Sequence, residues 1–330
     1  LRYFIFYMVC LTFCVSCSER TRKDETQLPS QGQVNQVLVV IDDDLWLSNV
    51  GDTIRNYLAA AIEGITPVEP KFDIDQQSPR IFESTAKSSK HILYVSTSEK
   101  RTKFELLINE YAQPQHFFVV EGKDNKSLID NFLKHKDSII SRFHHQEISE
   151  MQDRFKESVL RDADFLQHKY KIKLDLPASY KRVLTDDSFV WYKKEIASGT
   201  SNILIYCLPY ERIKSTTDKR ELTREINFLR DSVVEKYVHS SESNTFMNLI
   251  VDAEPLSRTI ELNGVEILEV TGIWDMENSF MGGPYLSYIA KVEDKKYYLI
   301  LEGFTYNPSM SKRNVLLELE AIMRTLRINP

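Results

Sequence analysis

Apolar residues in this chain fall into two kinds of run. Short β-branched stretches predict strands, and longer stretches with apolar positions every three to four residues predict helices. The run Val34-Asn35-Gln36-Val37-Leu38-Val39-Val40-Ile41 closes on Asp42-Asp43-Asp44 and predicts a buried strand with an acidic stop. Asp52 is placed to cap a helix to about residue 63, with Ile54, Tyr57, Leu58 and Ile62 on one face. Pro67 and Pro70 break the chain there. Strands are predicted at 91–96 and 116–121, with a helix over 103–111 between them. A helical region with breaks then runs over 126–170, free of proline and glycine. Leu128, Ile129, Phe132, Leu133, Ile139, Ile140 and Phe143 give its first part a helical stripe, and its polar part, 146–169, reads as a bridge or a surface helix.

The second half reads differently. Strands are predicted at 189–196, 202–208, 258–262, 265–274, 285–293 and 296–306. Asn263-Gly264 is a strong hairpin signal, and Asp294-Lys295 is a two-residue connection. Asp218 with Glu221 forms a capping pattern for a helix to about 237, and Ser309 or Ser311 starts a last helix to about 326. The fold class is therefore α+β or mixed α/β. Two sheet-and-helix domains, 34–168 and 169–330, are joined by the long helical region, and the second is mostly antiparallel.

The first residues do not belong to either domain. Arg2 precedes an apolar stretch over 3–17 that ends Ser16-Cys17, followed at once by polar residues. A signal core needs about 7–15 residues and a spanning helix roughly 20. The expectation is a lipoprotein signal over 1–16, acylation of Cys17 and a disordered tether over 17–33. Palmitate and diacylglyceryl chains on Cys17 would hold the protein to a membrane. A plain secreted protein and an uncleaved anchor are the alternatives.

Composition narrows the partners. The chain has 330 residues, 42% hydrophobic and 27% charged, with a formal net charge of −6. Acids and bases interleave, so no basic stripe marks a nucleic-acid binder. Cys10 and Cys14 leave with the signal and Cys17 is acylated. Cys207 is left alone in an apolar strand, expected to be a buried small residue with no disulfide.

Candidate chemistry is sparse. A strand ending in Asp42 and Asp44 resembles phosphatase loops in which two carboxylates hold a metal and one attacks phosphorus. Trp46 stands where such loops carry a small or β-branched residue. His144-His145-Gln146-Glu147 gathers metal-ligand types, but adjacent histidines on a helix point about 100° apart. No zinc-protease, nucleophile-elbow, phosphate-loop or dinucleotide signature is present. The segment Trp274-Asp275-Met276-Glu277-Asn278-Ser279-Phe280-Met281-Gly282-Gly283-Pro284-Tyr285 is the better candidate. Its two glycines before a proline permit close backbone approach. Trp274, Phe280, Met281 and Tyr285 line either an apolar binding surface or a tight turn packed on the core. Asp42, Trp46 and Arg55 form a second candidate surface.

Several of these pieces occur together in a known family. They are the strand over 37–44 with Trp46, Gly51-Asp52-Thr53-Ile54-Arg55, Glu69-Pro70-Lys71-Phe72, Ala112-Gln113-Pro114-Gln115, Phe189-Val190-Trp191, Gly272-Ile273-Trp274 and Phe280-Met281-Gly282-Gly283-Pro284-Tyr285. The chain resembles the domain of unknown function 4837 family, envelope lipoproteins of Bacteroidota, over nearly all of its mature length. The resemblance implies a Gram-negative envelope location, on the outer membrane facing the periplasm, and assigns no activity. The expected function is a non-catalytic binding or assembly protein of the envelope, without cofactor or resident metal. Its partners would be the membrane, through the lipid, and an envelope protein or small ligand. The rival is a metal-assisted hydrolase using Asp42 and Asp44.

Overall fold

The computed structural model describes residues 19–21, 27–214, 218–250 and 255–329. The expected signal over 1–16 and Cys17, the expected acylation site, lie outside the described residues. The chain forms two compact units, one of residues up to 57 with 74–140, the other of 58–73 with 141–330. Among the described residues no helix is long and apolar enough to cross a membrane.

The first unit is built on β1 (Gln36–Ile41), α1 (Asp43–Trp46), α2 (Asn49–Leu58), β2 (Asp73–Gln77), β3 (His91–Thr97), β4 (Lys103–Ile108), β5 (His116–Gly122) and the start of α3 (Asn125–Lys156). Its sheet has the order Glu19–Thr21, β4, β5, β3, β1, β2. β1, β3 and β5 run parallel. Their near-continuous apolar sequences suit strands covered on both faces, and Val37, Val39, Val40, Ile92, Leu93, Phe118 and Val120 are fully buried.

Two expectations are corrected here. Residues 103–111 do not form a helix. β4 pairs antiparallel with β5, Leu106 opposite Phe118 and Phe104 opposite Val120. An apolar run this short fits either period, and pairing beside a formed strand decides it. The tether is not wholly free either. Glu19–Thr21 pairs with Leu106, Leu107 and Ile108, and Leu28–Pro29 pairs with Ala112 and Gln113. These contacts satisfy backbone groups that β4 and its neighbour would otherwise present at an edge.

The second unit contains α4 (Ala163–Tyr170), β6 (Lys181–Asp186), β7 (Phe189–Ile196), β8 (Gly199–Pro209), α5 (Lys219–Tyr237), β9 (Phe246–Leu249), β10 (Leu256–Leu262), β11 (Val265–Glu277), β12 (Gly282–Val292), β13 (Tyr297–Tyr306) and α6 (Arg313–Met323). The eight-stranded sheet runs β6, β7, β8, β13, β12, β11, β9, with β10 also on β11. Every one of its pairings is antiparallel. The Asn263-Gly264 turn forms as the sequence predicts, with φ of 50° and 81°. Side chains alternate across the sheet. One face, with Phe189, Leu204, Tyr206, Val270, Trp274, Tyr285 and Phe304, packs on Ile226, Leu229 and Val234 of α5. Gly303 lies on the other face, against Leu319 and Met323 of α6.

Asp218 caps α5, accepting from Arg220 N–H at 2.8 Å. The polar half of α3 is not a surface helix. Glu147, Ile148, Met151 and Phe155 are buried, Gln152 donates to the Ala321 carbonyl at 2.9 Å, and His144 Nε2 meets Glu320 at 3.0 Å. His145 turns away to the Ser141 carbonyl at 2.7 Å.

Neither Ser309 nor Ser311 caps α6. Glu69, from far up the chain, accepts from the N–H groups of Lys312 at 2.8 Å and Arg313 at 2.9 Å, and from the Ser311 hydroxyl. The Arg313 guanidinium donates to Asp73 at 2.6 Å and 3.2 Å and to the Pro70 carbonyl at 2.9 Å. A carboxylate at a helix N-terminus satisfies orphan donors and opposes the helix dipole. Burial pushes the Glu69 carboxyl up, but the Lys312, Ser311 and Arg313 hydrogen bonds outweigh it and leave it below its usual 4.5. The ionised form is thus the one the fold holds, so this stabilisation is full above pH 4.5 and fades as pH falls below it. Glu69→Gln should cost about 1 kcal/mol at pH 7 and flatten the acid side of the stability–pH profile. Urea unfolding of both proteins across that range checks this, and parallel profiles would refute it.

Candidate functional site

The segment singled out in the sequence is the hairpin of β11 and β12, and it divides sharply between core and solvent. Trp274 is buried, packs edge-on against Phe304 at 5.3 Å between ring centres, and donates to the Thr305 carbonyl at 3.3 Å. Tyr285 is buried as well. Met281 is half-buried against the same cluster. Gly282-Gly283-Pro284 is not a loop but the start of β12, opposite Asp275, Trp274 and Ile273. A Cβ on Gly283 would lie 2.2 Å from the Thr305 carbonyl oxygen, so glycine is needed for the strand to pass. Pro284 lacks an N–H, yet pairing of β12 with β13 begins only at Tyr285, so no ladder bond is lost on that side.

Phe280 is the exception. It sits at the hairpin tip and is as exposed as a free side chain, at 107% relative accessibility. The tip beneath it is fixed. Met276 N–H donates to the Met281 carbonyl at 2.9 Å, Ser279 N–H to Met276 at 3.1 Å, and Asn278 takes a φ of 57°. Asn278 Nδ2 donates to the Asn244 carbonyl at 2.9 Å, which ties the tip to the loop after α5. An open cleft of about 550 Å³ lies there, lined by Glu235, His239, Glu242, Asn244, Thr245, Phe246 and Asn278.

Behind the hairpin lies a buried ion pair. Arg230 of α5 donates to both oxygens of Glu302 on β13, at 2.8 Å and 2.6 Å, with both side chains shielded from solvent. Its remaining nitrogen donates to Asp231 at 3.0 Å, and its guanidinium lies 4.8 Å from the Tyr285 ring centre. Burial disfavours the Arg230 charge, but Glu302 outweighs it and holds the cation more firmly than usual. Burial also pushes the Tyr285 hydroxyl far up, and that oxygen has no hydrogen-bond partner. With both charges paired and dry, this arrangement holds α5 on the sheet and offers nothing to a ligand.

The second candidate surface comes together in part. Arg55 stacks on Trp46 at 4.3 Å, donates to its carbonyl at 3.1 Å, and pairs with Asp52 at 2.6 Å. Asp42 precedes α1 without capping it through its side chain. Asp43 and Asp44 are exposed in its first turn, and Asp43 accepts from Gln76 at 3.0 Å. No group of three or more His, Cys, Asp or Glu side chains able to hold a metal occurs among the described residues. Cys207 is half-buried. Burial pushes its thiol up to about 12, so it stays protonated at neutral pH.

A family model described as Domain of unknown function (DUF4837) matches residues 158–325, half of the chain. The chain belongs to the DUF4837 family. The match is narrower than the near-complete extent expected, because residues 30–156 match a different model, Domain of unknown function (DUF8532). The motifs up to Gln115 fall in the DUF8532 stretch, whereas the hairpin of Trp274 and Phe280 lies in the DUF4837 stretch. No curated protein matches the chain. Among solved structures, the Saccharomyces cerevisiae Ran-binding protein Mog1p is 11% identical over 48% of this chain and 90% of its own, with a TM-score of 0.31. Human STARD10 is 8% identical over 49% and 72%, with a TM-score of 0.21. At these scores neither likeness bears on function.

Within the DUF4837 segment, sequence reasoning missed the Arg230–Glu302 pair and the cleft. A signal for the pair existed. Arg230 falls on the buried stripe of α5 with Ile226 and Val234, and Glu302 interrupts the run Leu299-Ile300-Leu301. The cleft had none, because residues 235–246 meet Asn278 only through the fold.

Proposed function

We propose that this chain is a non-catalytic binding protein of the cell envelope, held to the membrane by acyl chains on Cys17, facing the periplasm, and docking a protein partner through its β11–β12 hairpin. The observation that carries the docking is Phe280, a fully exposed aromatic on a tip fixed by backbone hydrogen bonds. A large apolar side chain in water forgoes burial, and a rigid turn lets it enter a partner with little further ordering. Aromatic residues used this way dominate binding energy. The tether is supported by the sequence over 3–17.

A photo-activatable residue at position 280 of the lipidated chain, irradiated in intact cells, should cross-link to a discrete envelope protein. The same group in place of Phe228, 74% exposed on α5, should not. Phe280→Ala should weaken co-purification of that partner about tenfold or more without loss of folding. Cys17→Ser should move the protein out of the membrane fraction, and Asp42→Ala with Asp44→Ala should leave the cross-link intact. Equal cross-linking from 280 and 228 would remove the hairpin from the reading.

A further inference from the structure

The tip of the hairpin that carries Phe280 and the loop tied to it bear acids without lysine or arginine. Residues 239–250 and 274–290 contain no lysine or arginine, while Glu242, Asp275 and Glu277 stand exposed. Glu235 adds a carboxylate to the cleft beside the tip. Lys236, the neighbouring cation, is engaged by Asp186 at 3.3 Å and the Tyr237 hydroxyl at 2.6 Å. Both ring nitrogens of His239 face backbone carbonyls, of Thr245 and of Lys236, so the ring is held by the backbone rather than by the acids. Among the described residues no ion pair joins Glu235, Glu242, Asp275 or Glu277 to a cation, so the tip combines an apolar plug with an acidic collar and an open cleft.

We infer that the hairpin docks a protein whose apolar socket for Phe280 is rimmed by lysine or arginine, one of which enters the cleft between Glu235 and Glu242. This rests on the docking reading above and adds the partner's chemistry. Charge decides between occupants. An anionic lipid surface would accept the phenyl ring but repel the carboxylates around it, and an acidic protein would meet like charge at close range. A basic rim gains attraction from the collar and buries the ring at the same time. The fixed tip holds the two features in register, since Asn278 joins the hairpin to the loop that carries Glu242.

Two short peptides with identical leucine spacing serve as probes, one with lysine at every polar position and one with glutamate, titrated against the full chain by fluorescence anisotropy. At low salt the lysine peptide should bind about tenfold tighter, and the difference should close as the screening length shrinks toward about 3 Å at 1 M salt. Glu242→Gln with Glu277→Gln should shrink the difference severalfold while leaving the chain folded. Phe280→Ala should weaken the lysine peptide about tenfold. Equal binding of both peptides through Phe280 would overturn the basic rim and leave hairpin docking standing. Lysine-peptide binding indifferent to Phe280→Ala, or no binding by either peptide, would overturn the combined plug and collar. Phe280-dependent adsorption to phosphatidylglycerol vesicles, stronger than to the lysine peptide, would replace the protein partner by the membrane.

Discussion

Arg230→Met is expected to lower the unfolding free energy by about 3–5 kcal/mol, because it leaves the buried Glu302 without its counter-ion, and Glu302→Leu to lower it by less, because Arg230 keeps Asp231 at 3.0 Å. The pair is bidentate, its side chains are 2% and 0% exposed, and Tyr206, Met247 and Tyr285 pack around it, so a lone charge left there is poorly hydrated. The double variant Arg230→Met/Glu302→Leu should return to within about 1–2 kcal/mol of the natural protein, since apolar atoms then fill a site already lined by Leu204, Ile226 and Phe304. Urea unfolding followed by the fluorescence of Trp191 and Trp274, both in this cluster, measures all four corners of the cycle. Additive losses in the double variant would mean that the side chains act through packing rather than through their mutual charge.

Gly283→Ala should cost about 3 kcal/mol or more. The added methyl group would stand 2.2 Å from the Thr305 carbonyl oxygen and 3.3 Å from the Trp274 indole nitrogen. Either β12 moves off β13 or Trp274 loses its bond to Thr305, and both disturb the middle of the sheet. Gly282→Ala is the milder companion, because its new atom would sit 3.0 Å from the Trp274 carbonyl at a less buried position. Thermal unfolding of the two variants separates these cases. Equal midpoints would show that the strand yields easily at Gly283. If Gly283→Ala also abolishes cross-linking from position 280 under conditions where the protein remains folded, the strand start and the tip act as one rigid piece.

The architecture was legible where local pattern and tertiary environment agree. Asn263-Gly264 supplies the left-handed backbone a tight hairpin needs, and the strands around it follow. The β-branched run into Ile41 had one reading because a strand buried on both faces needs no alternation. Errors arose where punctuation residues serve packing instead. Gly282-Gly283-Pro284 has the composition of a turn, but the glycines admit a neighbouring carbonyl and the proline precedes the ladder with β13. The stretch Lys103–Ile108 has too few residues for period alone to separate helix from strand, and β5 decides for the strand. The candidate site was half legible. The sequence placed Trp274, Phe280 and Tyr285 in one segment. It could not show that two of them face α5 while the third leaves the fold, because that depends on where the strand ends and the turn begins.

Glu69 has a consequence for how this protein can be divided by descent. The carboxylate that starts α6 and the Asp73 that pairs with Arg313 come from the stretch matched by one family, while the helix they complete belongs to the other. Two modules separable in sequence comparison are thus interleaved in space. A gene rearrangement that carried residues 158–325 elsewhere would leave behind the carboxylates that start and pair α6, and that helix would begin with its N–H groups open.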